Sequence, residues 1–263
     1  MSDASAVVRG TGVHGGRATT VHLIRREGPV RLRRAGREIV PRPEAVVATR
    51  ASTVLGADGV RVATVEHLLA ALHVRGIWSD LLIEVDGDEL PILDGSAAPW
   101  DEALADLGPF PAAPAPFAPG TEAEVRRDDG AVARLQAGPR RIAATVRFDH
   151  PAIGEQRWSG GPDAWPTLLP ARTFGFAAEA EALRAAGLAL GAGPENAIVF
   201  GDDGPLQPLR FPDEPVRHKA LDALGDLYLA GRPFDGTLCV ERAGHGLHVR
   251  LVRMLNGSAG GRP

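Results

Sequence analysis

Short stretches in which apolar and polar residues alternate occur in both halves of the chain. A period of two is typical of half-buried β-strands, because successive side chains point to opposite faces of a sheet. The pattern predicts strands at 20–24, 81–85, 123–125, 132–135, 142–146 and 197–200. We therefore expect β-structure in each half.

Other stretches repeat apolar residues every three or four positions, which is typical of helices. They predict helices at 64–76, 98–107, 177–187, 213–230 and 245–255. Thr64 is a suitable N-cap for the first of these helices, and Gly76 is a suitable end. Since strands and helices do not follow a regular βαβ order, the pattern favours an α+β fold over a doubly wound sheet.

A stretch rich in proline and alanine, PFPAAPAPFAPG at 109–120, separates the two sets of elements. Each proline lacks a backbone N–H and cannot continue a helix or a central strand. We therefore expect an N-terminal α+β domain at 1–112 and a C-terminal α+β domain at 121–263.

Composition excludes several classes of protein. The net charge of −4 argues against a general nucleic-acid binder. The chain has no apolar run long enough to span a bilayer and no secretory signal, so we expect a cytoplasmic protein without a stable membrane anchor. The single cysteine, Cys239, lies in the apolar stretch GTLCV and is expected to be a core thiol rather than a nucleophile.

The predicted helix at 213–230 carries four charged or titratable residues within an arc of about 100°, since each residue turns an α-helix by about that angle. These residues are His218, Lys219, Asp222 and Asp226. Two interpretations stay open on this evidence. The arc is either the outer face of an amphipathic helix or, through its imidazole and carboxylate, half of a metal site.

The predicted helix at 64–76 is apolar on nearly every side around residues 65–72, which indicates burial, yet it carries Glu66 and His67. Buried charged groups are costly unless they are paired or bound to a metal. A capping role for Glu66 and a hydrogen-bonded core position for His67 are the alternatives to function. With His218 and Asp222, His67 completes the three-ligand set of a catalytic zinc site, and Glu66 would then be the base.

Two further segments contain candidate residues whose roles the spacing alone leaves open. His245 lies in GHGLH at 244–248, where an exposed loop histidine is the alternative. Thr173 lies in ARTFGF at 171–176, where it is otherwise a threonine at the end of a strand.

Seven segments, in this order, resemble one protein family across nearly the whole chain. They are GTGVHGG at 10–16, TVEHLLAAL at 64–72, LPILDGSAAPW at 90–100, FDHPAI at 148–153, ARTFGF at 171–176, LRFPDEPVRHKALDALGDL at 209–227 and AGHGLH at 243–248. The family is UDP-3-O-acyl-N-acetylglucosamine deacetylase, the zinc enzyme of the committed step of lipid A synthesis. The resemblance implies two similar α+β domains packed as a β-α-α-β sandwich. It also implies a small βαβ insert at 175–199 around the acyl chain of the substrate.

The resemblance also implies roles for individual residues. Zn²⁺ would be held by His67, His218 and Asp222, and Fe²⁺ also suits two histidines and a carboxylate. The catalytic groups would be Glu66 as base, Thr173 at the oxyanion, His245 as acid, Asp226 orienting His245, and Lys219 facing the substrate. The groups that bind substrate would be Phe174 and Phe148 in the groove, His14 of the first motif, and Arg242 at a phosphate.

The insert at 175–199 departs from the family pattern, because alanines stand where larger apolar residues are usual. We expect a wider or differently shaped acyl passage. The partner is expected to be a UDP-linked acylated amino sugar, bound by a monomer. Two alternatives to this function are a diverged zinc deacetylase acting on another nucleotide sugar, and a non-catalytic metal-stabilised binding protein of the same fold.

Overall fold

A computed structural model describes residues 4–118 and 122–259 of the chain. The outer limits of the two predicted domains, at 1, 121 and 263, lie outside the described residues, as do the last two positions of the proline-rich stretch. Within these ranges the chain folds into fifteen strands, five α-helices and four short 3₁₀ segments.

The first half contributes eight strands and two helices. The strands are β1 (Ser5–Thr11), β2 (Ala18–Pro29), β3 (Arg31–Arg34), β4 (Arg37–Ile39), β5 (Val46–Ala48), β6 (Val54–Ala57), β7 (Val60–Val62) and β8 (Ser79–Val85). The helices are α1 (Glu66–Arg75) and α2 (Ala98–Ala105), and the 3₁₀ segment is Pro43–Ala45.

The second half contributes seven strands and three helices. The strands are β9 (Ala123–Arg126), β10 (Val132–Gln136), β11 (Arg141–Arg147), β12 (Glu155–Gly160), β13 (Phe174–Phe176), β14 (Ile198–Phe200) and β15 (Thr237–Glu241). The helices are α3 (Ala180–Ala185), α4 (Glu214–Leu227) and α5 (His245–Ala259), and the 3₁₀ segments are Pro162–Leu168, Ala177–Glu179 and Tyr228–Ala230.

The two large sheets have the same topology. Their orders are β1-β2-β8-β3-β4 and β12-β11-β15-β10-β9. In each sheet the last strand enters the centre, antiparallel to the second strand and parallel to the third. Each central strand also lies between two helices in the sequence, α1 and α2 around β8, and α4 and α5 around β15. The two halves are thus similar α+β units, and the predicted α+β class is confirmed.

Each half carries one insert just before the helix that precedes its central strand. In the first half the insert is a three-stranded sheet of β5, β6 and β7. In the second half β13 and β14 pair in parallel, with α3 between them in the sequence. The second insert is therefore a βαβ unit that runs from Phe174 to Phe200, one residue beyond the predicted segment 175–199 at each end.

Helices α1 and α4 pack directly against each other. Residues 66–73 of α1 are all buried, and the Nδ1–H of His73 donates to the carbonyl of Leu224 over 2.9 Å. A Cβ added at Gly225 would overlap the carbonyl oxygen of Glu66, so the two backbones touch at that point. The glycine is required there because any side chain would push the helices apart.

Two interpretations of the helical segments are wrong, and one is confirmed. The charged arc of 213–230 is not an outer face, because His218 and Asp222 are each 2% exposed and Asp226 is 0% exposed. Thr64 does not cap α1, since the helix begins at Glu66 after an N-cap at Val65. The predicted end of the helix is confirmed, because Gly76 adopts a left-handed φ of 68°.

Cys239 is not a core thiol. Its neighbours Leu238 and Val240 on β15 are buried, whereas Cys239 is only partly buried and pairs across the sheet with Arg134. Alternation along a strand sends Cys239 to the opposite face of the sheet from its two neighbours.

Replacement of Gly225 by alanine tests the contact between α1 and α4. We expect Gly225→Ala to lower the free energy of unfolding by about 1–3 kcal/mol, because the new methyl group overlaps the backbone of α1. Chemical denaturation measures the change. Gly257→Ala on α5 is the control, since a Cβ there meets nothing within 4 Å. The control should be neutral or stabilising. Equal stability of Gly225→Ala and the native chain would contradict the close contact.

Candidate active site

Three buried residues from two helices converge on one point. His67 lies on α1, and His218 and Asp222 lie one turn apart on α4. The Asp222 Oδ1 atom is 3.4 Å from the Nε2 of His218 and 3.9 Å from the Nε2 of His67. One ligand atom from each residue lies within 4.8 Å of the other two. The spacing that predicted a half-site on one helix is thus completed by the neighbouring helix.

The donor set fits a divalent cation. Asp222 Oδ1 is buried and has no hydrogen-bond partner among the residues that the structure describes. The other oxygen, Oδ2, accepts from Lys219 Nζ over 2.8 Å. His218 donates its Nδ1–H to the carbonyl of Ala171, which leaves its Nε2 as the free lone pair facing Asp222. Two imidazole nitrogens and one unsatisfied carboxylate oxygen therefore face a common point, as ligands do.

Burial and neighbouring charges keep His67 and Asp222 in the deprotonated forms that can bind a metal. Burial, with His218 beside it, lowers the pKa of His67 to about 3, so its imidazole is neutral. Burial would raise the pKa of Asp222, but His218 and Lys219 hold it well below its usual range. Metal ligands must be deprotonated, and both of these residues are.

Glu66 is buried beside the cluster, immediately before His67. Its Oε2 atom accepts from the Thr53 amide over 2.9 Å, and its Oε1 atom lies 3.9 Å from His245 Nε2. Burial raises the pKa of Glu66 to about 7. Helix α1 has no side-chain cap, so the capping interpretation is not supported. A carboxylate with a pKa near neutrality is suited to accept a proton.

His245 faces Glu66 from the first position of α5. Its Nδ1–H donates to Asp226 Oδ2 over 2.8 Å. Burial would lower the pKa of His245, but the carboxylates of Asp226 and Glu66 raise it to about 10. The side chain is only 10% exposed, so the exposed-loop interpretation is wrong. The site therefore pairs a proton acceptor with a protonated imidazole.

Two residues that donate hydrogen bonds to Asp226, the partner of His245, were not predicted from the sequence. His248 is fully buried, and its Nδ1–H donates to the same Asp226 oxygen as His245, over 2.8 Å. The spacing of three in HGLH places both imidazoles on one face of α5 and was a usable signal. The other residue, Thr53, donates its hydroxyl to Asp226 Oδ1 over 2.5 Å, and no local pattern pointed to it.

The remaining candidates line two cavities that meet at Lys219. One cavity, of about 260 Å³, is lined by the His67, His218 and Asp222 cluster, and by Glu66, His245, His14, Thr173 and Phe174. The other, also of about 260 Å³, is lined by Phe148, Arg242, Arg127 and Arg147. Burial would lower the pKa of Lys219, but Asp222 raises it, so a cation stands between the two cavities.

Backbone contacts hold Thr173 at the wall of the first cavity. Its amide donates to the carbonyl of Gly95 over 2.8 Å, and its own carbonyl accepts from the amide of Ile198 over 2.9 Å. Phe174 follows directly, and its ring lies 5.4 Å from Lys219 Nζ and 5.4 Å from the ring of Phe148. The predicted aromatic residues thus connect the two cavities.

The glycine motif around His14 is shaped by Glu89. The Glu89 carboxylate accepts from the amides of His14 over 2.8 Å and Gly15 over 2.7 Å, and from the Thr64 hydroxyl over 3.0 Å. A Cβ at Gly12 would overlap this carboxylate, which explains the glycine. The motif is a carboxylate-bound turn that presents His14 to the cavity.

Sequence comparisons match this geometry to known proteins. The sequence model of a family described as UDP-3-O-acyl N-acetylglycosamine deacetylase matches residues 3–257. The UDP-3-O-acyl-N-acetylglucosamine deacetylase of Nitratidesulfovibrio vulgaris is 42% identical over 230 residues, which cover 85% of this chain and 74% of that protein. The chain belongs to this deacetylase family.

Two further relatives carry the same name. The deacetylase of Thermosynechococcus vestitus is 43% identical over 231 residues, which cover 86% of this chain and 81% of that protein. The deacetylase of Phenylobacterium zucineum is 43% identical over 270 residues, which cover 96% and 91%. The family that the motifs resembled is therefore confirmed. Across 4–118 and 122–259, no helix combines the length and apolar character needed to cross a bilayer.

In this member of the deacetylase family, an ion pair joins Arg172, the residue before Thr173, to Glu214 on α4. Glu214, in the first turn of α4, is 0% exposed and accepts from the Arg172 Nε over 2.9 Å and the Arg172 amide over 3.0 Å. It also accepts from the Arg210 amide over 2.6 Å. Because Arg172 directly precedes Thr173, this pair sets the position of Thr173 relative to α4.

Glu214→Gln should weaken the fold in a pH-dependent way. Burial would raise the pKa of Glu214, but hydrogen bonds from Arg172 lower it below 4.5. The carboxylate therefore stabilises the fold above about pH 4.5 and loses its effect as the pH falls through its lower pKa in the folded state. We expect a loss of about 3–5 kcal/mol at neutral pH, since Arg172 is left without its anion.

Denaturation of both proteins at several pH values measures the effect, and the difference between them should shrink below about pH 4.5. Glu38→Gln is the control, because Glu38 pairs with Arg31 while its side chain is 47% exposed. It should change stability little at any pH. A difference for Glu214→Gln that stays constant with pH would count against an ionised Glu214.

Proposed function

We propose that this chain hydrolyses the N-acetyl group of UDP-3-O-acyl-N-acetylglucosamine, giving acetate and UDP-3-O-acyl-glucosamine, the committed step of lipid A synthesis. The observation that carries the proposal is one cavity in which Glu66 adjoins the His67, His218 and Asp222 cluster and faces a protonated His245. Relatives with 42–43% identity carry the name of this activity.

The metal proposed for the three ligands is one Zn²⁺ per chain, and Fe²⁺ is the second candidate for the same donor set. When bound, such an ion lowers the pKa of a water molecule and polarises the acetyl carbonyl. The support in this chain is the buried, unpartnered Asp222 Oδ1 beside two neutral imidazoles. Lys219 holds the other Asp222 oxygen, so Oδ1 would be the atom that binds the ion together with the Nε2 atoms of His67 and His218.

Two proton transfers are assigned to Glu66 and His245. Glu66 accepts the proton of the attacking water, a role suited to its raised pKa of about 7. His245 is protonated at neutral pH and donates its Nε2 proton to the departing amine of the sugar. Asp226 fixes the His245 ring through Nδ1, so Nε2 points into the cavity toward Glu66.

Charge that develops on the acetyl oxygen needs donors placed in advance. Thr173 is proposed to supply a hydroxyl hydrogen bond, and Lys219 a positive charge, since both line the cavity of the cluster. The backbone contacts of Thr173 and the Arg172–Glu214 pair hold that hydroxyl in place.

The second cavity is proposed to bind the UDP group. Arg242, Arg127 and Arg147 line it with Lys219, and cationic side chains at this density suit a diphosphate. Asp129 accepts from Arg127 and lies 3.7 Å from Arg242, so it holds both guanidinium groups beside the cavity. Phe148 at its edge is proposed as the aromatic contact.

The acyl chain is proposed to leave the first cavity past the βαβ insert. Seven residues of this region line the cavity, and three of them are alanines, Ala189, Ala192 and Ala197. Small side chains leave a wider passage than large ones, so we propose a shifted acyl-length preference. His14 contacts this region directly, since the amide of Ala189 donates to the Nδ1 of His14 over 3.4 Å.

The two halves with equal topology are proposed as the two domains, at 1–112 and 121–263, with the site at their junction. The support is that the cluster takes His67 from the first half and its other two ligands from the second. Cytoplasmic location and a monomeric state stay predictions.

Acetate release tests the activity. We expect the purified chain to release acetate from UDP-3-O-acyl-N-acetylglucosamine, and to lose that activity with a chelator and regain it with Zn²⁺. The same assay on non-acylated UDP-N-acetylglucosamine should show much slower release. A series of acyl lengths tests the passage, and an optimum at the usual medium length would argue against a widened one.

The outcomes separate the alternatives. Release from another nucleotide sugar alone would favour a diverged deacetylase. No release from any acetylated sugar by zinc-loaded protein would leave only the non-catalytic binding protein and overturn the proposal.

Two substitutions separate metal binding from proton transfer. Glu66→Gln should keep about one zinc per chain and lower kcat by about 10²–10⁴-fold, because the base is lost. His218→Ala should lose most of the bound metal. Metal analysis and acetate release measure both, and His22→Ala on the exposed face of β2 is the control for loss of an imidazole. Full activity of Glu66→Gln would remove Glu66 from the role of base.

A further inference from the structure

Thr53 contacts both groups proposed to move protons. Its amide donates to Glu66 Oε2 over 2.9 Å, and its hydroxyl donates to Asp226 Oδ1 over 2.5 Å. The residue is 0% exposed. Glu66 and Asp226 lie on different helices from different halves of the fold, so a single residue holds one carboxylate of each helix.

The backbone at Thr53 is itself fixed. Thr53 lies between β5 and β6 of the three-stranded insert, and its carbonyl accepts from the amide of Val65 over 3.3 Å. Two residues earlier, Ala51 has a left-handed backbone φ of 65°, which residues other than glycine rarely adopt. Thus the amide, the carbonyl and the hydroxyl of Thr53 each have a partner in the site or next to it.

The Thr53 hydroxyl occupies one Asp226 oxygen, and the two histidines share the other. An ionised carboxylate only accepts hydrogen bonds, so the Thr53 hydroxyl must donate to Oδ1. The other oxygen, Oδ2, accepts from His245 and His248, each over 2.8 Å. Rotation of the carboxylate would therefore break three hydrogen bonds at once, and the ring of His245 is held with it.

We infer that Thr53 is a positioning residue, which holds the carboxylates of Glu66 and Asp226 in the geometry that places His245 opposite the base. This inference rests on the proposed deacetylase function. It assigns a role in the reaction to the three-stranded insert of the first half, whose other residues lie outside the metal cluster. The hydrogen bonds of Thr53 within the described residues join it to Glu66, Asp226 and Val65, none of which belongs to the cluster of His67, His218 and Asp222.

Thr53→Val and Thr53→Ser form the test pair. Valine has nearly the same shape but no hydroxyl, whereas serine keeps the hydroxyl and loses a methyl group. We expect Thr53→Val to lower kcat by about 10–100-fold with KM and zinc content close to those of the native chain, since the loss is one of orientation. Thr53→Ser should recover most of kcat.

A second readout does not depend on activity. We expect the Nδ1–H protons of His245 and His248 to give separate NMR signals shifted by their bonds to Asp226, and both signals to move in Thr53→Val but not in Thr53→Ser. Thr237→Val, on β15, is the matched control, because it removes a buried hydroxyl that donates to the carbonyl of Pro139. Its kcat and the two imidazole signals should stay as in the native chain.

The outcomes distinguish this inference from the proposed function. An inactive native chain would contradict the function, while the imidazole signals would still report on Thr53. Native kcat in Thr53→Val, equal loss in Thr53→Ser and Thr53→Val, or unmoved imidazole signals would each overturn the inference. A purely structural role would lower the unfolding temperature and leave kcat per folded, zinc-loaded chain unchanged.

Discussion

The backbone contact between α1 and α4 is the constraint on which the site depends. Gly225 allows α4 to touch the Glu66 carbonyl, and this contact brings His67 within 3.9 Å of Asp222. Ligands from two helices form one site only when the helix axes approach closely, since imidazole and carboxylate side chains are short. A glycine at the crossing allows this approach, because nothing extends from its Cα toward the neighbouring helix.

Burial of so many charges is tolerated because they compensate one another. An isolated buried carboxylate would cost several kcal/mol or take up a proton. Here Asp222 lies against Lys219 and two imidazoles, and Asp226 accepts from two imidazoles and a hydroxyl. The environment then shifts the pKa values of the carboxylates in opposite directions. Asp222 and Asp226 are ionised by their partners, whereas Glu66, with few donors, has a pKa raised by burial to about 7.

The sequence predicted much of the fold, and its failures have physical causes. Long helices with strong periodicity were found, with ends in error by a few residues, as for α1 and α5. The short strands β3, β4 and β7 were missed, because three or four residues are too few to establish a period of two. The sequence also did not predict the strand orders that the two large sheets share, since the repeat lies in strand pairing rather than in residue similarity.

The candidate residues divide in the same way. Local spacing alone brought out His218 with Asp222, and an apolar helix with two polar residues brought out Glu66 and His67, because these signals lie within one turn of one helix. Thr53 joins Asp226 across 173 positions, and Glu89 joins His14 across 75, so no local pattern contains them. The sequence by itself determined the α+β class, the family and the kinds of chemical group present. Only the tertiary structure decided which carboxylate is ionised and which imidazole is protonated, because those states follow from contacts between distant parts of the chain.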